Sequence, residues 1–276
     1  MASKLLAMLA GCFLMVSPLL CGAATTLVLY DNFKEAAIDP ARWAGYEAYD
    51  NEGLSRESVR EITAGSLQLA DHAYGLITTD PDAACSSGQR QRMIDGSAVT
   101  AMQGTIAMTR AVVKNPASGP EVVVRARTGG YFFNVGTPTP GDSTGDVVAE
   151  IGLVRTSTYT RPNTVGIYGY VYQCLDLGCG TLTDIGVTTA LGLVQVGQPV
   201  NVSVQWDKTN HQFTFQYTIT KRNVQSQSIP YVVSDTSPPA TNNKRCSVNS
   251  VVPPCAAAPC TEADVEALFG PVYVNQ

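Results

Sequence analysis

Residues 200–219 read VNVSVQWDKTNHQFTFQYTI, a segment in which two alternating runs flank a short polar stretch. Apolar side chains occupy every second position of both runs: Val200, Val202, Val204 and Trp206 in the first, and Phe213, Phe215, Tyr217 and Ile219 in the second. The stretch between them, DKTN at 207–210, has the composition of a turn. The segment therefore predicts an antiparallel hairpin that buries one face against a core and turns the other face to water.

Short runs of β-branched and aromatic residues recur along the rest of the chain, at residues 26–30, 66–70, 105–113, 121–128, 131–135, 147–156 and 165–174. Turn-forming residues separate these runs, for example at 115–116, 129–130 and 137–142. Helical periodicity is almost absent. Many short strands at regular intervals predict an all-β sandwich or barrel.

The C-terminal part has a different composition. Residues 237–254 are rich in Pro, Asn and Ser, so we expect an irregular segment held by cysteines. Thr261 is placed to cap one short C-terminal helix over residues 262–269, which Gly270 and Pro271 would end. We therefore expect one β-sandwich domain, residues 25–236, and a Cys/Pro-rich tail, residues 237–276, packed on the same domain.

The first 24 residues have the pattern of a secretory signal peptide. Lys4 precedes an apolar run at 5–16, and small residues at 21–24 favour cleavage after Ala24. The run is shorter than the ~20 residues that span a bilayer, so no transmembrane segment is expected. An alternative is lipidation at Cys12, because LAGC at 9–12 resembles a lipobox and would anchor the protein to a membrane. We expect a secreted or periplasmic protein.

The composition limits the choice of partners. Charged residues make up 15% of the chain, below the ~25% typical of soluble domains, and the net charge is −5. The sequence has no run of clustered Lys and Arg, which argues against nucleic acid as a partner. An anionic polymer is also disfavoured unless a local basic patch overrides the overall field.

Cysteine usage fits an exported protein. Six cysteines lie beyond the leader: Cys85, Cys174, Cys179, Cys246, Cys255 and Cys260. Two C-x4-C spacings could supply four zinc-binding thiolates, but export favours disulfides, and no histidine lies near them. The first expected pair is Cys174–Cys179, which would close a short loop. The other four are expected to form two bridges that tie the tail to the body.

Several short motifs resemble those of concanavalin A-like lectin/glucanase domains. They are DNF at 31–33, IDP at 38–40 with Trp43, GSLQL at 65–69, and GQP at 197–199 running into the first strand of the hairpin. The resemblance implies a two-sheet antiparallel jelly-roll sandwich with a concave face. That fold is shared by lectins, glycosidases, lyases and modules without a ligand, so it does not by itself define a function.

Tyr168, Tyr170 and Tyr172 are the candidate ligand-binding residues. At two-residue spacing their side chains share one face of a strand, roughly 6–7 Å apart, and a row of aromatic rings could stack on sugar rings. The alternative is that these rings fill the interior of the sandwich.

Acidic residues are weaker candidates for a catalytic or calcium-binding site. Asp146 and Glu150 align with the E-x-D-x-E strand of laminarinase-type glucanases, but the central Asp is missing. We therefore expect no hydrolysis through this pair and a solvated strand face instead. Calcium could bind through Asp31, Asp142 and Asp146, although no D-x-D-x-D-G spacing is present, so no cofactor is expected.

His72 and Tyr74 could form a lyase-like acid and base pair. No other catalytic motif is present, so we expect a non-catalytic protein that binds a polysaccharide or other glycan or is associated with the cell envelope. One alternative is a polysaccharide-degrading hydrolase or lyase on the same fold. Another is a structural envelope component with no ligand.

Overall fold

The computed structural model describes residues 25–49, 56–78, 80, 85–115, 121–186, 189–219, 223–241, 243–255 and 257–275. The expected signal peptide and the lipobox cysteine Cys12 lie outside these residues. The described chain is all-β, as predicted, and its strands form two antiparallel sheets. Within the described ranges there is no helix of the length and hydropathy that a membrane crossing would need.

The strands are numbered in chain order. The first nine are β1 (Val28–Asp31), β2 (Trp43–Tyr49), β3 (Arg56–Thr63), β4 (Ser66–Tyr74), β5 (Cys85–Met93), β6 (Ala101–Lys114), β7 (Val123–Asn134), β8 (Asp146–Thr156) and β9 (Thr164–Cys174). The others are β10 (Leu182–Asp184), β11 (Thr189–Gln195), β12 (Val200–Asp207), β13 (Gln212–Thr218), β14 (Val224–Pro230), β15 (Lys244–Val252), β16 (Glu262–Phe269) and β17 (Val272–Val274).

The strands are divided between a nine-stranded and an eight-stranded sheet. The first sheet has the order β14-β13-β12-β6-β16-β4-β3, and β17 joins it by pairing with β6 and β1. The second sheet has the order β10-β9-β8-β7-β15-β5-β2, and β11 also pairs with β9. The inward faces of both sheets supply one continuous hydrophobic core.

The hairpin predicted at residues 200–219 is confirmed. Strands β12 and β13 pair with Val204 opposite Phe215 and Trp206 opposite Phe213. Val204 and Phe215 are fully buried in the core, while Trp206 is half-buried. In the turn, the backbone N–H of Asn210 donates to Asp207 Oδ1 at 3.1 Å, which fixes the reversal of the chain.

Aromatic side chains from both sheets meet in this core. The ring of Phe133 on β7 stacks on that of Trp206 at 5.1 Å and lies 6.2 Å from that of Phe213. At the other end of the chain, Trp43 Nε1 donates to Asp31 Oδ2 at 2.7 Å, which joins the start of β2 to the end of β1. The DNF and Trp43 motifs therefore serve packing.

The predicted C-terminal helix is wrong, because residues 262–269 form β16. The segment has good helix formers, but its apolar residues stand at every second position: Ala263, Val265, Ala267 and Phe269. All of them are buried in the core, and β16 pairs with β4 on one side and β6 on the other. Tertiary pairing and burial outweigh the local propensity. Thr261 donates to the carbonyl of Pro253 instead of capping a helix.

The expectation of an irregular segment at residues 237–254 is wrong for residues 244–252, which form β15. Strand β15 lies inside the second sheet between β7 and β5, and β16 lies inside the first. In β15, Cys246 and Val248 point into the core and the intervening Ser247 points out. A polar strand with few β-branched residues is difficult to recognise from sequence, yet this one has the required two-residue period.

The turn expected at residues 129–130 is absent, since β7 runs straight through it. Gly129 and Gly130 have φ values of +134° and +145°. A Cβ on Gly129 would collide with the carbonyl oxygen of Ala149, and one on Gly130 with that of Asn243. These glycines let two neighbouring strands approach closely and do not reverse the chain.

Candidate functional site

The three candidate tyrosines lie on the outer face of the second sheet. On β9, Val165, Ile167 and Val171 belong to the core between the sheets. Because successive side chains alternate, Tyr168, Tyr170 and Tyr172 point the opposite way. The rings therefore do not fill the interior of the sandwich.

The strand register brings a group of arginines onto this same face. We call it the arginine–tyrosine face, and its members are Tyr46, Arg90, Arg92, Arg125, Arg127, Tyr131, Glu150, Tyr168, Tyr170, Tyr172 and Arg245. They come from six adjacent strands: β2, β5, β15, β7, β8 and β9. Neighbouring strands are ~4.8 Å apart, so the face extends about 24 Å from Tyr46 to Tyr168.

Glu150 on β8 is the electrostatic centre of the face. It is fully buried, and Arg127 Nη1 lies 2.6 Å from its Oε2. Arg245 contacts Oε1 through Nη2 at 2.7 Å and Nε at 2.9 Å. Tyr172 donates its hydroxyl to Oε2 at 3.2 Å. Burial alone would raise the pKa of Glu150, but the charges of Arg127, Arg245 and Arg90 outweigh it and hold the pKa at about 2.

The remaining arginines contact neutral groups. Arg125 Nη1 donates to Asn249 Oδ1 at 3.1 Å. The guanidinium carbons of Arg92 and Arg90 lie 4.6 Å and 5.6 Å from the centre of the Tyr46 ring. Burial lowers the pKa of Arg90 to about 10, and repulsion by Arg245 and Arg127 adds to the effect. Positive charge on this face therefore exceeds what Glu150 neutralises.

The tyrosine row is not uniformly exposed. The rings of Tyr168 and Tyr170 are half-buried, with centres 6.0 Å apart, and the Tyr168 hydroxyl lies 3.1 Å from that of Tyr159. Tyr172 is only 8% exposed and packs with Tyr131 in a small apolar cluster beside Cys174. Two of the three rings are thus available at the surface, and the third supports Glu150.

The expected pair Cys174–Cys179 is present and closes a loop next to Tyr172. The bridges expected from the tail to the body are not found among the described side chains. Cys255 pairs with Cys260, and Cys246 is a free thiol. Cys246 points into the core between the sheets, away from any other cysteine described. The side chain of Cys85 lies outside the described part.

The solvated carboxylates expected on β8 are not observed, because Asp146 and Glu150 are both fully buried. Asp146 accepts bonds from Asn134 Nδ2 at 2.9 Å and from the backbone N–H of Ala240 at 2.7 Å. The pair holds the fold together and does not line a cleft. Neither carboxylate is placed for hydrolysis.

The calcium ligands considered from sequence are used by the protein itself. Asp31 accepts from Trp43 and the backbone N–H of Phe33, and Asp142 accepts from the backbone N–H of Thr144. No group of three or more His, Cys, Asp or Glu side chains in the described residues is arranged to hold a metal ion.

His72 and Tyr74 are in contact on the outer face of the first sheet, remote from the arginine–tyrosine face. The Tyr74 hydroxyl lies 3.3 Å from His72 Nδ1, and His72 Nε2 lies 3.3 Å from Glu262 Oε1. Glu57 lies 3.7 Å from His72 as well. The sequence predicted His72 and Tyr74 on one strand. The structure shows that Glu262 of β16 and Glu57 of β3 also lie next to His72.

The arginines were not identified from sequence, because they are scattered over three strands that are distant in the chain. A local signal exists in the strict alternation QRQR at 89–92 and in the RAR of 125–127. Such alternation predicts arginines on a single face of each strand. It does not reveal that β5, β15 and β7 are neighbours, which follows from the topology alone.

Comparison with known proteins gives structural similarity without sequence similarity. The chain matches no known protein family and no characterised protein in sequence. Similar solved structures include peanut lectin, with 10% identity over 84% of this chain and 98% of the lectin and a TM-score of 0.31. The legume lectin-like domain from Entamoeba histolytica has 9% identity over 88% and 98%, with a TM-score of 0.36.

The alginate lyase from Klebsiella pneumoniae has 8% identity over 75% of this chain and 79% of the lyase, with a TM-score of 0.35. Nothing about a ligand follows from similarities at this level. The similar structures are legume lectin-like and related concanavalin A-like β-sandwiches, the superfamily that the motifs of this chain resemble.

Proposed function

We propose that the protein binds glycans at the arginine–tyrosine face. One observation carries the proposal: half-buried aromatic rings and arginine side chains share one sheet face about 24 Å long. Aromatic rings offer apolar surface to the faces of sugars, and their hydroxyls bond at the rim. Guanidinium groups offer planar arrays of donors to sugar oxygens.

The rigidity of the face supports the same function. Tyr168 and Tyr170 are held by each other and by Tyr159, and Glu150 fixes Arg127 and Arg245. A binding surface of this kind loses little side-chain entropy when a ligand binds.

The test is retention by polysaccharides. We expect Tyr168→Ala and Tyr170→Ala each to weaken retention in affinity electrophoresis through gels containing mixed plant and bacterial polysaccharides. Tyr172 is unsuitable for this purpose, because its removal would disturb Glu150. Tyr273→Ala on the first sheet, where Tyr273 is 36% exposed, is the matched control. If the parent protein is not retained by any polysaccharide, glycan binding is wrong.

A second candidate function, polysaccharide cleavage, is favoured by the contact between Tyr74 and His72. A tyrosine and a histidine within hydrogen-bond reach can act as general acid and base. The nearby Glu57 and Glu262 would repel an acidic polymer, so a neutral substrate is expected there. Release of new chain ends by the parent protein, lost in Tyr74→Phe, would establish this activity. The absence of products from all polymers tested would exclude it.

We further propose that the protein is exported as a non-catalytic component of the cell envelope or medium. The two disulfides fit an oxidising compartment outside the cytoplasm. Cleavage after Ala24 would release a domain whose last strands complete both sheets. Mass spectrometry of the mature N-terminus tests this, and a lipidated Cys12 would show the anchored alternative.

A further inference from the structure

The arginine–tyrosine face carries a charge opposite to that of the whole protein. The chain has a net charge of −5. The negative side chains on this face are Glu150 and, at the β10 edge, the exposed Asp184. The positive side chains are more numerous: Arg90, Arg92, Arg125, Arg127 and Arg245. A local patch of this kind can reverse the field that a ligand experiences near it.

The arginines also retain unused donors. Glu150 is the only carboxylate paired with them among the described residues. Arg245 is 3% exposed, yet its Nη1 has no hydrogen-bond partner, and the same holds for the buried Nε atoms of Arg127 and Arg92. Buried guanidinium donors without partners are costly, and their incompletely compensated positive charge favours an anion at the surface above them.

Arg90 and Arg125 are the members best placed to meet a ligand. Both are half-buried, and neither pairs with Glu150. Arg125 lies in the row of β7 next to Arg127, and Arg90 lies opposite Ser247, a small side chain that separates it from Arg127. The two residues therefore lie on either side of β15 on this face.

We propose that this face selects anionic saccharides, with Arg90 and Arg125 binding their carboxylate or sulfate groups while Tyr168 and Tyr170 contact the sugar rings. The inference rests on the proposed glycan-binding function and specifies its ligand class. Single-stranded nucleic acid is the competing polyanion, since arginines and aromatic rings serve it too. It is disfavoured because the net charge of −5 opposes a polymer that carries one charge at every nucleotide, and oligo(dT) in the test below decides between the two.

The test compares charged probes with their neutral counterparts on the intact protein. Isothermal titration is carried out with oligogalacturonate and its methyl ester, with dextran sulfate and dextran, and with oligo(dT). We expect a charged sugar to bind at least roughly tenfold more tightly than its neutral form, because hydrogen bonds between charged groups are stronger than neutral ones. Binding should weaken as salt is raised. If oligogalacturonate binds more tightly than its methyl ester, the face recognises carboxylate groups. If dextran sulfate binds more tightly than dextran, it recognises sulfate groups.

Two variants locate the contact. Arg90→Gln and Arg125→Gln should each lower affinity for the charged probe by roughly tenfold and that for the neutral probe by much less, so that the ratio of the two affinities falls. Lys208→Gln removes the same charge at the remote β12–β13 turn and should change neither. If a variant fails to fold, the comparison of charged and neutral probes on the parent protein still decides.

Equal affinity for charged and neutral sugars would overturn the anion selectivity and leave glycan binding intact. Binding of none of the sugars would overturn both proposals. Oligo(dT) binding as tightly as the charged sugar, with the same loss in Arg90→Gln, would show that the face recognises nucleic acid instead.

Discussion

Arg245 holds one carboxylate oxygen of Glu150 with two nitrogen atoms, at 2.7 Å from Nη2 and 2.9 Å from Nε, and both side chains are buried. The two residues come from strands separated by β7, so the pair joins three strands of the second sheet. Arg127 on β7 completes the arrangement at 2.6 Å. The fold and the candidate site therefore share the same ion pairs.

Removing the carboxylate should destabilise the protein strongly. We expect Glu150→Gln to lower the free energy of unfolding by about 3–5 kcal/mol, because two buried guanidinium groups lose their counter-charge. Urea unfolding at pH 7 measures the change. The control is Glu61→Gln, an exposed position on β3, which should shift the free energy by less than about 0.5 kcal/mol. A loss of similar size in both variants would contradict the central role of Glu150.

The same carboxylate predicts a pH dependence. The folded state holds the pKa of Glu150 at about 2, below the ~4.3 of an unfolded Glu. The stabilisation is therefore complete above about pH 4.3 and is lost as the pH falls toward 2. The difference in unfolding free energy between the parent and Glu150→Gln should shrink by about 1.4 kcal/mol per pH unit in that range. A difference independent of pH between 5 and 2.5 would exclude this assignment.

These ion pairs show what the sequence could and could not predict. The hairpin at 200–219 was predictable because its two-residue period and turn lie within one continuous segment. The partners of Glu150 were not, because Arg127 and Arg245 come from strands that only the topology makes neighbours. In isolation, each of these arginines has the sequence signature of an exposed strand residue.

The C-terminal strands show a second limit of structure prediction from this sequence. In residues 262–269 the helix-forming Glu, Ala and Leu residues masked an alternation that places Val265 and Phe269 in the core. Local propensity and periodicity disagreed there, and pairing with β4 and β6 settled the conformation.

The tyrosines of β9 were assigned to one face correctly, but their exposure was not predictable. Tyr172 is buried by the loop of the Cys174–Cys179 disulfide, so the burial of its ring depends on a neighbouring segment.

Lys244 predicts a second pH dependence, of the same sign as that of Glu150 but in a higher pH range. Its side chain is buried, and its Nζ donates to the carbonyl of Tyr131, where β7 has a bulge, and lies over the Phe132 ring at 4.2 Å. Burial lowers its pKa to about 7, from the ~10.4 of an unfolded lysine. The unfolded chain therefore binds more protons between pH 7 and 10, and the contribution of Lys244 to stability rises with pH.

The comparison with Lys244→Met isolates this effect. The parent should gain stability relative to the variant by about 1.4 kcal/mol per pH unit from pH 7.5 to 10. Urea unfolding at several pH values measures the difference, and Lys208→Met, at the exposed turn, should show no such slope. A flat difference for Lys244→Met would mean that the buried amine keeps an ordinary pKa.

Cys246 should be unreactive in the folded protein. Its thiol is 1% exposed, and burial raises its pKa to about 12, so very little thiolate forms at neutral pH. We expect iodoacetamide at pH 8 to leave Cys246 unmodified for hours in the native protein and to modify it within minutes in 8 M urea. Peptide mass spectrometry identifies the residue. Finding Cys246 in a disulfide would contradict the structure, and rapid native alkylation would show that β15 opens readily from between β7 and β5.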